Sequence, residues 1–182
     1  MSANRFVALL RGINVGGRNL ISMADLRDAF AAGGYRDART FIQSGNVLFE
    51  SDSARGSLED ELEAMLERRL GVELVVVVRS HLQLRNLVAK SPKGFGDEPD
   101  GYHSDVIFLK SPLSPNRAMR VVEVREGVDQ VWPGTGVLYF ARLSARRTQS
   151  KMSSIVGTQE YKLMTIRSWS TTTRLLGLLD EG

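Results

Sequence analysis

The order of apolar segments in the first 79 residues leaves few folds open to this chain. Phe6–Leu10 is a short apolar run without polar alternation, which is typical of a strand buried in the centre of a sheet. After a glycine-rich loop, Ser22 can cap a helix. Met23, Leu26 and Phe30 then repeat at helical spacing. The chain is therefore predicted to open with a strand, a loop and a helix.

Two more strands, a helix and a further strand are predicted to follow. Residues 39–42 and 46–49 flank the turn sequence of residues 43–45, which indicates a hairpin. A second helix begins at Ser57, and residues 72–78 form a β-branched strand. The order β-α-β-β-α-β is that of the ferredoxin-like fold, in which helices cover one face of an antiparallel sheet.

The second half of the sequence begins this order again. A third helix, with a capping box at Ser80 and Gln83, precedes a segment of glycine, proline and charge at residues 90–101. Beyond it come an apolar strand, a helix opened by Ser114-Pro115 and a hairpin around residues 133–136. The pattern indicates an α+β protein of two ferredoxin-like units in tandem, with antiparallel sheets.

We place the boundary of these units in the glycine-rich segment. Residues 1–91 are predicted to form a ferredoxin-like α+β unit with an extra helix, and residues 92–182 a second, degenerate α+β unit. One compact domain that contains both halves is the alternative.

Composition excludes several classes of protein and site. The chain has no cysteine, so disulfides, thiolate metal sites and cysteine catalysis are excluded. Its two histidines lack metal-ligand spacing, and we predict no metal and no cofactor. The first apolar run is too short for a signal peptide or a spanning helix, so we expect a cytoplasmic protein without a membrane partner. With 24 basic and 21 acidic residues, any anion site must come from local clustering.

The loop of residues 11–19 is the candidate site, because it combines conformational freedom with fixed positive charge. We expect it to bind a small anionic or phosphorylated ligand through two arginines, two asparagine amides and the backbone of three glycines: Arg11, Arg18, Asn14, Asn19, Gly12, Gly16 and Gly17. It is not a nucleotide-hydrolysing P-loop, because that motif needs a lysine and a hydroxyl here. The alternative is that the glycines turn the chain and the asparagines cap it, while the arginines face water.

Two more residues, Arg39 and Arg167, are candidate contributors to this site. We expect Arg39 and Thr40, at the start of the second strand, to lie near Arg11, and the turn of residues 43–46 to lie at the opposite edge. Arg167 is the other candidate, since a helix start at Ser168 or Ser170 accounts for its neighbours but not for the arginine itself.

Two other functions stay open. A nucleic-acid-binding module would use a basic surface formed by Arg142, Arg146, Arg147 and Lys151. An enzyme of unidentified reaction would use His103 for acid–base work, and we assign no catalytic residue.

Three segments carry a resemblance to a known family: LLRGINVGGRN near the start, RTFIQSGNVLF after it, and TIRSWSTTTRL near the end. The chain resembles a bacterial family known as domain of unknown function 1697. In the last segment that family more often has asparagine where this chain has Ser168 and Ser170. The resemblance implies a compact cytoplasmic α+β protein, and it supplies no reaction, cofactor or catalytic residue.

Overall fold

The computed structural model of the chain describes residues 4–53 and 55–182. Its strands are β1 (Asn4–Leu10), β2 (Arg36–Phe41), β3 (Asn46–Ser51), β4 (Val76–Ser80), β5 (Tyr102–Leu109), β6 (Asp129–Gly134), β7 (Val137–Leu143) and β8 (Met164–Ser168). Its α-helices are α1 (Met23–Ala32), α2 (Arg55–Leu70), α3 (His81–Ala89), α4 (Pro115–Met119) and α5 (Trp169–Glu181). Three 3₁₀ turns, Ser144–Gln149, Met152–Ile155 and Glu160–Leu163, separate β7 from β8.

The first sheet has the strand order β2-β3-β1-β4, with every neighbouring pair antiparallel. Side chains from β1 and β3 pack with those of α1 and α2 in one apolar core. The rings of Phe30 and Phe49 lie 5.4 Å apart in a tilted arrangement, and Phe6 stacks on Phe49 at 5.6 Å. Each such buried side chain contributes about 1.5–3 kcal/mol. The predicted ferredoxin-like order of elements is confirmed for this sheet.

The second sheet repeats this arrangement with the order β6-β7-β5-β8, again antiparallel throughout. One face carries a core that includes Ile107, Phe140 and Met164, packed with residues of α4 and of the 3₁₀ turn Met152–Ile155. Short 3₁₀ turns therefore stand where the first unit has the long helix α2. The fold class, α+β with two tandem antiparallel units, is confirmed.

The predicted capping signals are confirmed at the starts of α1 and α3. The Ser22 hydroxyl accepts a hydrogen bond of 2.9 Å from the backbone N–H of Asp25. At α3 the backbone N–H of Ser80 donates to Gln83 Oε1 at 2.9 Å, and Gln83 N–H donates to Ser80 Oγ at 3.2 Å. A cap of this kind stabilises a helix by about 1 kcal/mol. These bonds join residues three apart, which is why the sequence predicts them.

Strand limits differ from the predictions where a partner strand decides them. We expected a strand at residues 72–78, but β4 begins at Val76, because Leu10 opposite Val76 is the last residue of β1 in the ladder. Val72 and Leu74 pack into the core without joining the ladder. In addition, α2 begins at Arg55 rather than at Ser57.

Contacts divide the chain into two compact units. The first contains the residues up to Arg85 together with Leu175–Gly182, and the second contains Asn86–Arg174. The end of α5 thus belongs to the first unit, where Asp180 Oδ1 lies 2.5 Å from His81 Nε2. That hydrogen bond holds the pKa of Asp180 below its usual range. The domain boundary between residues 91 and 92 stays a prediction.

Within residues 4–53 and 55–182, no helix is both long enough and apolar enough to cross a bilayer.

The buried hydroxyl of Tyr139 gives the first testable prediction. It donates a 2.6 Å hydrogen bond to the carbonyl of Leu87, and burial raises its pKa to about 12. The substitution Tyr139→Phe removes the hydroxyl, so the Leu87 carbonyl loses this hydrogen bond. We therefore expect the free energy of unfolding to fall by about 1–2 kcal/mol. Urea unfolding followed by circular dichroism measures the change. Tyr35→Phe is the control, and an equal effect of both substitutions would contradict the prediction.

Candidate functional site

The glycine-rich loop is a tight reversal of the chain after β1. Val15 and Arg18 form an isolated antiparallel bridge, and the N–H of Arg18 donates to the Val15 carbonyl at 3.1 Å. Gly16 and Gly17, between them, have φ of +59° and +74°. Two consecutive residues in this region form the type of turn that matches strand twist and that favours glycine. These two glycines therefore shape the turn.

The two asparagines hold the loop closed. Asn14 and Asn19 both adopt positive φ, at 53° and 48°, which asparagine tolerates better than most residues. Asn14 Nδ2 donates to the carbonyls of Ile21 (3.0 Å) and Gln43 (3.1 Å), and its Oδ1 accepts from the Ile21 N–H at 2.9 Å. Asn19 Nδ2 donates to the Gly12 carbonyl at 3.2 Å. Both side-chain amides are therefore engaged with backbone groups.

The predicted neighbours of this loop are wrong. The N–H of Leu10 donates to the Gly45 carbonyl at 2.8 Å, so the turn of residues 43–46 lies beside the loop and not at the opposite edge. The reason is strand direction: β1 runs antiparallel to β3, with Leu9 opposite Asn46, so the end of β1 meets the start of β3. A β-carbon at Gly45 would lie 2.6 Å from Ile13 Cδ1, which shows how closely the two segments approach.

Arg39 and Thr40 accordingly do not lie at the loop end of β1. Since β1 and β2 are both antiparallel to β3, which lies between them, they run in the same direction, and Arg5 near the start of β1 and Arg36 at the start of β2 are both opposite Glu50. Arg39 is opposite Leu48 in mid-strand, and its Nε lies 3.3 Å from Asp37 Oδ2. Thr40 is opposite Val47.

Around the loop the structure shows an apolar surface that the sequence analysis missed. Val15, Leu20 and Ile42 are large apolar side chains with exposed fractions of 65%, 76% and 48%. Arg18 is exposed between the first two in sequence, and Arg11 is half-buried. We call Val15, Arg18, Leu20 and Ile42 the loop surface. Ile42 also has φ of +51°, a conformation that costs a residue with a β-carbon about 1–2 kcal/mol.

Arg167 lies in the second unit, within β8 and opposite Val106. It is buried, and its Nη1 donates to Thr165 Oγ1 and to the Ile166 carbonyl, both at 2.9 Å. Burial lowers its pKa to about 10. Arg79 holds the same place in the first unit: it lies in β4, opposite Val7 of β1, and its Nη1 donates to the Val78 carbonyl at 2.8 Å. The pair indicates a structural role that is repeated in both units.

A pocket of about 430 Å³ lies in the second unit. Its walls combine aromatic rings, hydroxyl groups, an imidazole and glycine backbone, and we call it the second-unit pocket; it is lined by Gly96, Pro99, Tyr102, His103, Ser104, Ser168, Trp169, Ser170 and Thr173. Sequence reasoning noted His103 and the Ser168–Thr173 segment separately but gave no reason to join them, since about 65 residues lie between.

The indole of Trp169 forms a wall that depends on Gly96. Phe95 meets Trp169 edge to face, with ring centroids 5.1 Å apart and planes at 81°. A β-carbon at Gly96 would lie 2.0 Å from Trp169 Cδ1, and Gly96 has φ of +80°. Any side chain at this position would displace the indole, and the positive φ also favours glycine, so both space and backbone conformation require a glycine here.

Hydroxyl groups cluster at the start of α5, which lines the pocket. Ser168 Oγ accepts from the N–H of Thr171 at 3.2 Å, so Ser168 is the N-cap, and it also lies 3.1 Å from Ser170 Oγ. Thr173 Oγ1 donates to the Trp169 carbonyl at 3.1 Å. Ser104 Oγ is buried in the pocket wall, without a hydrogen-bond partner among the described residues.

Behind the pocket lies a charged group of three side chains. His103 Nε2 is 3.5 Å from Asp105 Oδ1, and Arg142 Nη2 is 3.3 Å from Asp105 Oδ2. Burial of Asp105 raises the pKa of its carboxyl, against the opposing influence of His103 and Arg142. A carboxyl perturbed in this way beside a pocket is typical of functional sites.

The basic stretch proposed for nucleic-acid binding is largely engaged with its own neighbours. Arg142 pairs with Asp105, Arg146 donates to Gln149 Oε1 at 2.8 Å, and Lys151 Nζ lies 3.4 Å from Glu123 Oε2. Binding of nucleic acid stays a prediction.

Asp105 gives a pH-dependent prediction. Because the folded pKa lies above the ordinary 3.8, the protonated carboxyl adds stability that is fully present below pH 3.8 and is lost as the pH rises through the folded value. The substitution Asp105→Asn removes this titration. We expect the free energy of unfolding of the variant, relative to the unmodified protein, to increase from pH 3.8 towards neutrality. Urea unfolding at successive pH values measures it, and a difference that is constant with pH would contradict the prediction.

Asn14 gives a second prediction for this site. Asn14→Ala removes three hydrogen bonds and places alanine at positive φ, so we expect a loss of about 2–4 kcal/mol in the free energy of unfolding. Asn14→Gly removes the same bonds without the conformational strain and should lose less. Thermal and urea unfolding compare the two variants. Equal losses would show that the positive φ carries no cost.

The fold of the chain is similar to that of the conserved bacterial protein SP0830 from Streptococcus pneumoniae, with a TM-score of 0.84 and 22% sequence identity, over 98% of this chain and 99% of that one. No curated protein matches the sequence. Residues 3–139 match the family described as "Protein of unknown function (DUF1697)". The chain belongs to this family.

Proposed function

We propose that this protein binds a small anionic ligand, and that the ligand occupies the second-unit pocket. The observation that carries the proposal is the pocket's lining, which joins an apolar wall to a set of hydrogen-bond donors within one concave space. Pockets of a few hundred cubic ångströms with this mixture are the usual sites for small organic molecules.

The donors favour an anion. Ser170 brings a hydroxyl from the first turn of α5, a 13-residue helix whose positive dipole end lies at Trp169. His103 adds a ring N–H, and Ser104 adds a buried hydroxyl that has no other partner among the described residues. A carboxylate or phosphate group would accept hydrogen bonds from these donors.

The apolar part of the lining suits the organic part of such a ligand. Trp169, Tyr102 and Pro99 present apolar surface to the pocket. Trp169 packs edge to face against Phe95, so its ring would lose little conformational freedom when a ligand binds. An aliphatic or aromatic acid, or a phosphorylated metabolite, fits this combination.

The prediction that the glycine-rich loop itself holds an anion is separate from this proposal. Its two side-chain amides, from Asn14 and Asn19, already serve backbone groups, so the loop offers fewer donors than the sequence suggested. In the second-unit pocket, Ser104 and His103 line the cavity, and Ser104 Oγ has no hydrogen-bond partner among the described residues.

A ligand screen tests the proposal. Inorganic phosphate and acetate serve as minimal anions beside a panel of phosphorylated and carboxylated metabolites, and unfolding temperature is the measurement. A ligand present at a hundred times its Kd should add about 2.7 kcal/mol to the stability of the folded protein. It should also change the fluorescence of Trp169, which the variant Trp132→Phe isolates because the chain has two tryptophans.

Three variants complete the test. His103→Ala and Ser170→Ala should each weaken binding of the ligand about tenfold, or about 1.4 kcal/mol. Arg147→Ala, an exposed cation of the same unit outside the pocket lining, should leave binding unchanged. The proposal fails if no anion stabilises the protein, or if binding survives in the pocket variants and is lost with Arg147.

A further inference from the structure

The loop surface has a common anchor, although its members come from two segments of the chain. Asn14 binds the backbone N–H and carbonyl of Ile21 and the carbonyl of Gln43. Val15, Leu20 and Ile42 each directly adjoin one of these three residues in the chain. The hydrogen bonds of one side-chain amide thus hold together the backbone segments that carry three exposed apolar side chains.

Ile42 shows that this exposure is not required by folding. A branched side chain is disfavoured at its φ of +51°, where glycine or asparagine would be accommodated more easily. Its side chain is about half exposed, so burial does not offset the strain in full. Residues held in strained backbone conformations concentrate at functional sites, including ligand-binding ones.

The charge of the surface indicates the partner. Residues 11–22 and 42–46 contain two arginines, Arg11 and Arg18, and no aspartate or glutamate. Arg18 is exposed directly after the Gly16-Gly17 turn, and it pairs with Val15 in the isolated bridge. Complementarity calls for a partner that carries carboxylates among aliphatic side chains.

Other occupants fit less well. A second copy of this surface in a two-fold interface would bring like charges together. Single-stranded nucleic acid binds largely by stacking on aromatic rings, and these two segments contain none. Anionic membranes need several cations for stable attachment, and the loop surface has one, Arg18.

We propose that the loop surface docks an acidic, aliphatic peptide segment of a protein partner. The network around Asn14 holds the surface in its binding shape before the partner arrives, which reduces the ordering cost of association. This site lies in the first unit and uses none of the residues of the second-unit pocket.

A display experiment tests the proposal with the full chain. A library of random peptides is selected on the unmodified protein, with counter-selection on the double variant Arg18→Glu, Ile42→Asn. We expect the enriched peptides to combine aspartate or glutamate with leucine, isoleucine or valine. Fluorescence anisotropy of an enriched peptide then gives Kd for each single variant.

Ile42→Asn separates binding from folding. It relieves the strained backbone, so we expect its unfolding temperature to rise by about 3 °C. The same change should weaken the peptide about tenfold, because apolar contact area is lost. Arg18→Glu should weaken the peptide at least as much, with little effect on stability.

Two matched controls accompany these variants. Leu82→Gln removes an apolar side chain that is 63% exposed on α3, and Arg147→Glu reverses an exposed charge of the second unit; neither should change Kd. The proposal is overturned if selection enriches no acidic peptide, or if the loop variants bind as tightly as the controls. It is equally overturned if an oligonucleotide or phosphatidylserine vesicles bind through Arg18 while the peptides do not.

Discussion

Antiparallel pairing of β1 with both β3 and β4 is the constraint on which the first unit depends. Leu9 lies opposite Asn46, and Leu10 lies opposite Val76, so the end of β1 is held from both sides. Beyond the ladder, Leu10 donates to the Gly45 carbonyl and Arg11 donates to that of Val75. The glycine-rich loop therefore starts from a fixed point, and the hairpin turn beside it becomes part of the same surface.

The two units repeat one junction between a strand and a helix. In each unit, one edge strand, β4 or β8, carries a buried arginine, Arg79 or Arg167. The serine that follows this arginine caps the next helix. In the first unit the helix begins with His81, and in the second it begins with Trp169. The second junction borders a pocket because Trp169 packs against Phe95 and Gly96, in the segment that the sequence pattern marked only as a break between units.

Loop and pocket illustrate two different uses of polar side chains. Asn14 and Asn19 donate their hydrogen bonds to backbone carbonyls, which closes the loop, and its exposed side chains are apolar or cationic. In the pocket, His103 and Ser104 line open space, and the buried Asp105 lies behind His103. Exposed apolar surfaces suit macromolecular partners, and concave pockets with polar groups suit small ligands.

By itself the sequence determined the order of strands and helices, the caps at Ser22 and Ser80, and the glycine turn after β1. These depend on apolar periodicity and on hydrogen bonds between residues only a few positions apart. Tertiary structure decided where the ends of strands meet, and so placed the turn of residues 43–46, rather than Arg39, beside the loop. It also joined Gly96, His103 and Trp169 in one pocket. Strand direction and long-range packing are properties of the assembled sheet, and no local pattern in a single chain encodes them.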